Sequence, residues 1–337
     1  MSVKARRRGL VLALTLALAA AGCGGGATTT THRAARARHA KVVAAAAPAQ
    51  PVNLSYRPLY SLPAPLQDPA SADLGGGRFV LLGGLDAADS SSAGVIVADL
   101  HGPVHSTALP GAQHDAQAAA LAGGVYVFGG GNFSQYDHIL RFDPASGAVT
   151  SAGALPSAAS DVAVTANAGT AYVVGGFDGS VALDTIVAWQ PGVTARVVGH
   201  LPVALRYAAV CAANGAVLII GGSTPAAASD AIYRFDPATG SVRQIGSLPR
   251  PITHAGAATL GGTVYLVGGR GDLLDSQTAK VWAIDPTTGA VRAAGHLPQP
   301  LSDAGVLATG DAIVVAGGRS TGATQAAVGE LVPAGAG

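Results

Sequence analysis

Leu248–Gly269 reads LPRPITHAGAATLGGTVYLVGG. It holds a Leu-Pro pair, a run of small residues, a two-glycine turn, an alternating segment and a Gly-Gly stop. The same phrase recurs along the chain. Gly doublets fall at Gly83-Gly84, Gly129-Gly130, Gly175-Gly176, Gly221-Gly222, Gly268-Gly269 and Gly317-Gly318, in steps of 46 to 49 residues. Leu-Pro pairs keep nearly the same beat, at Leu62-Pro63, Leu109-Pro110, Leu155-Pro156, Leu201-Pro202, Leu248-Pro249 and Leu297-Pro298. A fixed period of this length is the mark of a repeat architecture. Within the phrase, Val264 and Leu266 alternate with Tyr265 and Val267, the two-residue period of a strand. After each Gly doublet comes a polar loop of variable length, then a second strand such as Ala231–Phe235. That strand ends in Asp-Pro-x-x-Gly at Asp143–Gly147, Asp236–Gly240 and Asp285–Gly289, where Pro presets φ and Gly supplies a left-handed residue. A further short strand leads to the next Leu-Pro. Four strands per unit, six times over and without a helical pattern, predict an all-β six-bladed propeller.

These marks together resemble the kelch-repeat family: a Gly-Gly after a Tyr-containing strand, an Asp-Pro turn in the next, a Leu-Pro before the next unit. The resemblance covers about residues 51–333. The chain departs from the family where a Trp is usual early in the fourth strand, since Val149, Val242 and Val291 stand there. The first and third units replace the Asp-Pro turn by Asp99-Leu100-His101-Gly102 and Gln190-Pro191-Gly192. The last unit supplies only one strand, about 325–332, after its Gly doublet, and Val52–Tyr56 is a strand with no unit of its own. The N-terminal strand is therefore expected to complete the last blade of a domain spanning 51–334, removing an exposed edge.

Residues 1–23 carry the pattern of a secretion signal. Lys4, Arg6, Arg7 and Arg8 precede an apolar run over Gly9–Gly22, too short to span a bilayer comfortably. Ala20-Ala21-Gly22-Cys23 resembles a bacterial lipobox with Ala in place of the usual Leu, which implies lipidation of Cys23 and an extracytoplasmic, membrane-anchored or secreted protein. An ordinary cleavage with Cys23 incidental is the other reading. Residues 24–50, a Gly run, a Thr run and Ala with scattered Arg and Lys, read as a disordered tether. The net charge of +1 hides a division. The first 50 residues hold 8 Lys and Arg and no acid, leaving 12 bases and 19 acids for the rest, a net −7. An acidic disc makes nucleic acid an unsuitable partner. The one other cysteine, Cys211, lies among small residues and reads as a buried structural thiol. A monomer is expected.

Function belongs on the face that carries the variable loops. Five residues after each Leu-Pro come Asp68, Asp115, Asp161, Tyr207, His254 and Asp303. They stand where the innermost strands begin and so should ring the channel mouth. The residues before them add His114 and Arg206, besides Gln67, Ser160, Thr253 and Ser302. Kelch adaptors grip peptides with polar and basic groups at this mouth. Four Asp here point instead to a cation, an amine or a polyol. The competing reading is that each Asp caps its own loop. A Ca²⁺ or transition-metal site could draw on His114, Asp115, His254 and Asp303, but there is no tight local ligand motif and no cofactor is expected. The Tyr/His set with a Tyr–Cys crosslink of copper-oxidase relatives is not reproduced. Arg270-Gly271-Asp272 spells an adhesion tripeptide, read as chance. Trp189 and Trp282 read as core. Three functions remain: a non-catalytic module binding a protein loop or a small polar molecule, a carbohydrate lyase, epimerase or hydrolase with Asp or His as acid and base, and a purely structural role in envelope assembly.

Overall fold

A computed structural model describes residues 52–335, which belong to one compact unit. The expected signal, Cys23 and the expected tether lie outside the described residues. The chain enters through β1 (Leu54–Ser61), followed by β2 (Ala70–Gly75), β3 (Arg78–Leu82), β4 (Ser92–Asp99) and a 20-residue strand β5 (Gly102–Leu121). Next come β6 (Gly124–Gly131), β7 (His138–Phe142) and β8 (Val149–Ala154). The third repeat forms β9 (Ala163–Asn167), β10 (Thr170–Val174), β11 (Thr185–Trp189) and β12 (Arg196–His200). The fourth forms β13 (Ala209–Ala213), β14 (Ala216–Ile220), β15 (Ala231–Asp236) and β16 (Ser241–Ser247). The fifth forms β17 (Gly256–Leu260), β18 (Thr263–Val267), β19 (Lys280–Ile284) and β20 (Val291–His296). The last forms β21 (Gly305–Thr309), β22 (Ala312–Ala316), a small hairpin of β23 (Arg319–Ser320) and β24 (Ala323–Thr324), and β25 (Ala327–Pro333).

All pairings in these sheets are antiparallel. Repeats three, four and five each make one four-stranded sheet, and the last sheet has the order β1-β25-β22-β21. The N-terminal strand thus closes the last sheet, pairing Leu54 with Pro333 through Ser61 with Ala327. It starts two residues later and runs further than the sequence suggests. The first two repeats share a seven-stranded sheet. Its hinge is β5, whose residues up to Gln113 pair with β4 and whose residues from His114 pair with β6. Leu109-Pro110 lies inside that strand, whereas the other Leu-Pro pairs break the chain between sheets. The inner strands β2, β5, β9, β13, β17 and β21 touch in cyclic order, and β21 returns to β2. Each hydrophobic cluster is shared by two neighbouring repeats. One joins Leu66 and Phe79 of the first to Leu307 and Val314 of the last. Another sets Trp189 of the third repeat 4.8 Å from the Tyr126 ring and 5.5 Å from the Phe128 ring of the second. An aromatic residue from the third strand therefore fills space between sheets, while Val149, Val242 and Val291 open or nearly open the fourth strands.

The Gly doublet is the clamp between sheets. Its second residue donates its N–H to a carbonyl in the next Leu-Pro connection: Gly130 to Ala159 at 2.8 Å, Gly176 to Leu205, Gly222 to Ile252 and Gly84 to Gln113 at 2.9 Å, Gly269 to Leu301 and Gly318 to Leu66 at 2.8 Å. Its first residue has positive φ and sits so close that a Cβ on Gly221 would lie 2.1 Å from the Ile252 oxygen. No side chain fits there. The Asp-Pro turns close by the expected chemistry. Asp143 Oδ1 accepts the N–H groups of Ala145 and Ser146 at 3.0 Å, and Asp285 Oδ1 those of Thr287 and Thr288 at 2.8 Å. Asp99 performs the same task for His101 and Gly102.

Candidate functional site

The six ring positions share one backbone conformation. Asp68, Asp115, Asp161, Tyr207, His254 and Asp303 all have φ between 50° and 58°. This is the left-handed region, which Asp tolerates better than most residues and which a bulky side chain rarely occupies. The N–H groups of five of the six reach across to the preceding repeat. Asp68 donates to the Asp303 carbonyl at 2.6 Å, Asp303 to His254 at 3.0 Å, His254 to Tyr207 at 3.3 Å and Tyr207 to Asp161 at 3.1 Å. The Asp115 N–H instead meets Asp68 Oδ2 at 3.0 Å. A chain of hydrogen bonds therefore runs from Asp115 through Asp68, Asp303, His254 and Tyr207 to Asp161, and all six residues line the channel.

The side chains do not cap their own loops, and this corrects the capping expectation. Asp68 serves the next repeat. Asp161 is paired with Arg206 and is almost wholly buried. Asp115 Oδ2 lies 3.3 Å from the Tyr207 hydroxyl and 3.5 Å from His114 Nε2. Asp303 accepts the Ser302 hydroxyl at 2.5 Å and stands 3.9 Å from His254 Nε2. Local capping has a different owner, the Asp of the strand-joining turns. What favours Asp in the ring is the left-handed backbone.

Crowding four carboxyls out of water shifts their protons. Burial first, then the charge of Asp115, pushes Asp161 up to about 7 against the pull of Arg206. Burial raises Asp303 to about 6, with the Ser302 hydrogen bond and Arg270 opposing. Asp68 is raised well above the ordinary range by burial and by Asp115. Burial acts to raise Asp115 too, but hydrogen bonds from Asp68 and Asp161 outweigh it and hold this carboxylate low. One ionised group is thus supported by protonated neighbours. Burial and then Asp115 raise the Tyr207 phenol.

The fourth and fifth repeats break the pattern of Asp. The Tyr207 and His254 rings stack at 3.8 Å between centroids. Arg270 Nη2 lies 3.1 Å from His254 Nε2, which must accept because a guanidinium only donates. The ring proton therefore sits on Nδ1, 3.0 Å from Thr253 Oγ1. Thr253 Oγ1 is in turn 2.8 Å from Ser223 Oγ. Burial and then Arg270 push His254 down to about 3, so the imidazole is neutral.

Asp161 lines the channel with the other ring residues. Asp68, His114, Asp115, Tyr207, His254 and Asp303 line one cup, and Arg206 lines the cleft beside it, with its guanidinium 4.3 Å from the Phe177 ring centroid. Arg270 and Arg319 also stand in the cup and are absent from the sequence-derived set. They were findable. The residue after each Gly doublet bridges to the residue before each ring position, as Phe177 does to Ser160, Ser223 to Arg206, Arg270 to Thr253 and Arg319 to Ser302. The mouth is thus acidic on its axis and basic on its flank. Among the described residues no group of three or more His, Cys, Asp or Glu side chains is arranged to hold a metal ion. The Arg-Gly-Asp tripeptide is tied into the fold, since Asp272 Oδ1 accepts the Ala228 N–H at 2.5 Å while Arg270 faces His254. Cys211 is buried in β13, and burial pushes its thiol up to about 12, as suits a structural cysteine.

Comparison with known proteins agrees with this architecture. The Kelch motif model matches residues 204–249 and 251–296, the fourth and fifth repeats. A search of curated proteins returned no match. Among solved structures, one titled "Structure of YjhT" superposes with a TM-score of 0.69 at 17% identity, covering 81% of this chain and 95% of that one. At that identity the likeness shows the fold alone. The chain is an all-β propeller of antiparallel four-stranded blades, and Kelch motif repeats and a propeller neighbour both support a kelch-repeat construction.

Proposed function

We propose that this protein is an extracytoplasmic, lipid-anchored binding module, a six-bladed kelch propeller whose mouth takes a small polar ligand. The count of six rests on the cyclic order of inner strands and on treating the two halves of β5 as belonging to separate blades. The anchor rests on the signal-like start, Cys23 and the tether composition. One observation carries the binding assignment. Four of the five hydrogen bonds that link ring positions join main-chain groups, and the ring residues converge on the channel. Partly protonated carboxyls offer both donors and acceptors, which suits an amine or a polyol.

Calorimetric titration of the purified protein with putrescine and with myo-inositol tests this. Asp161→Asn mimics the protonated carboxyl in shape, so it should weaken binding severalfold while the melting temperature at pH 6 stays put. A lower melting temperature with unchanged binding refutes the assignment. The other reading, an enzyme acting on carbohydrate, is favoured by Asp161 being held near 7 in a concave site, a value suited to acid–base work. His254 is the weaker half of that reading, because its only lone pair is already engaged by Arg270.

A further inference from the structure

Beside the mouth cup lies a cleft between the loops of repeats three, four and five. Arg270 stands on the ridge between them and lines both. Its charge is unanswered. The ion pairs among the described residues take up Arg141, Arg206 and Arg319, and none brings a carboxylate within 4.0 Å of Arg270. Asp303 senses it from beyond that range. Its donors are underused as well. Nη2 meets the neutral His254, Nη1 is 3.4 Å from the Gly271 oxygen, and Nε is buried with no partner. A partly buried guanidinium without a counter-charge is costly, and an unsatisfied polar group in a fold calls for an explanation.

The rest of the cleft says what would answer it. Its one carboxylate, Asp272, has Oδ1 held by the Ala228 N–H. A second guanidinium, Arg206, lies on Phe177. Phe177, Val181 and Pro225 also line it, and Val181 is 59% exposed although apolar. Guanidinium groups and apolar side chains lining one cleft fit an anion with a hydrocarbon body. A guanidinium fork matches the two oxygens of a carboxylate. We propose that this cleft is a second binding site, taking a small aliphatic or aromatic monocarboxylate whose acid group meets Arg270 and whose body lies on Phe177, Val181 and Pro225. The site goes beyond the mouth assignment and does not need the axial carboxyls to bind anything.

Sodium benzoate is the probe, with benzyl alcohol as the uncharged match, titrated calorimetrically into the purified protein at pH 7.5. Benzoate is expected to bind saturably and to raise the melting temperature, and benzyl alcohol to do neither. Arg270→Gln should weaken benzoate by about tenfold, the usual scale for losing a charge-assisted pair. Should that variant fail to fold, Val181→Asp places a like charge on the apolar lining and should weaken benzoate comparably. Absence of benzoate binding overturns the proposal. So does benzoate binding that survives both substitutions, or benzyl alcohol binding as tightly. Excess myo-inositol is expected to leave benzoate binding intact whether or not it occupies the mouth, which separates the two sites.

Discussion

Replacing Gly221 by alanine tests whether the Gly doublet is an inter-blade clamp rather than a turn. Two costs are readable at this position. The backbone sits at φ +61°, where a Cβ costs about 1–2 kcal/mol. The new Cβ would also lie 2.1 Å from the Ile252 oxygen and 3.2 Å from its carbon. The neighbouring connection must retreat, and the 2.9 Å bond from the Gly222 N–H to that oxygen is lost. Leaving a buried pair unmade costs about 1–3 kcal/mol more, so the total is about 2–5 kcal/mol. Gly215→Ala supplies the control. It has φ +73° but nothing within 4 Å of its would-be Cβ, so it bears the backbone cost of about 1–2 kcal/mol alone. Urea unfolding followed by intrinsic fluorescence measures both, and the difference between the variants isolates the clash. Equal destabilisation by the two substitutions would falsify the clamp.

Stability should also depend on pH in an unusual direction. Asp161 at about 7, Asp303 at about 6 and Asp68 well above its ordinary value all bind protons more tightly folded than unfolded. Their contribution is therefore lost as pH rises from the ordinary carboxylate range, about 4, through 6 and 7. Calorimetry should find a lower melting temperature at about pH 8 than at about pH 5, with Asp161→Asn flattening the slope; a level profile in the parent protein refutes the shifts. Deleting residues 51–62 removes β1 and the buried Leu54 and Leu62, and leaves β25 as an open edge. The whole propeller should then melt earlier in one transition, and a truncated protein with the parent melting temperature would show that the seam bears no load.

Much of the architecture is legible in the chain because the same contact is made six times. The Gly doublet is spaced by the need of one backbone to touch the next, and the Leu-Pro pair by the return to the axis. The ring of Asp68, Asp115, Asp161, Tyr207, His254 and Asp303 is legible for the same reason, since a fixed distance from Pro sets the start of each inner strand. The reason for Asp there was not legible. Its left-handed backbone leaves no local sequence mark, and its partners belong to other repeats. Arg270, read in the sequence only as part of a chance tripeptide, and Arg319 are not legible as mouth residues because they stand in loops of unequal length, although each occupies the fixed position just after its doublet. The fusion of the first two repeats through β5 could not be read from Leu109-Pro110, which looks like every other Leu-Pro pair.

The pairing of Leu54 with Pro333 has a consequence for how the molecule is born. Partners at opposite ends of the described chain cannot meet until almost all of it is available. During synthesis the first strand waits with its hydrogen-bonding edge bare while the other sheets gather behind it. Long-range closure of this kind is slow and leaves an adhesive edge unguarded meanwhile. A nascent protein built so gains from a chaperone, or from arriving unfolded and finishing assembly in one place, where beginning and end are released together.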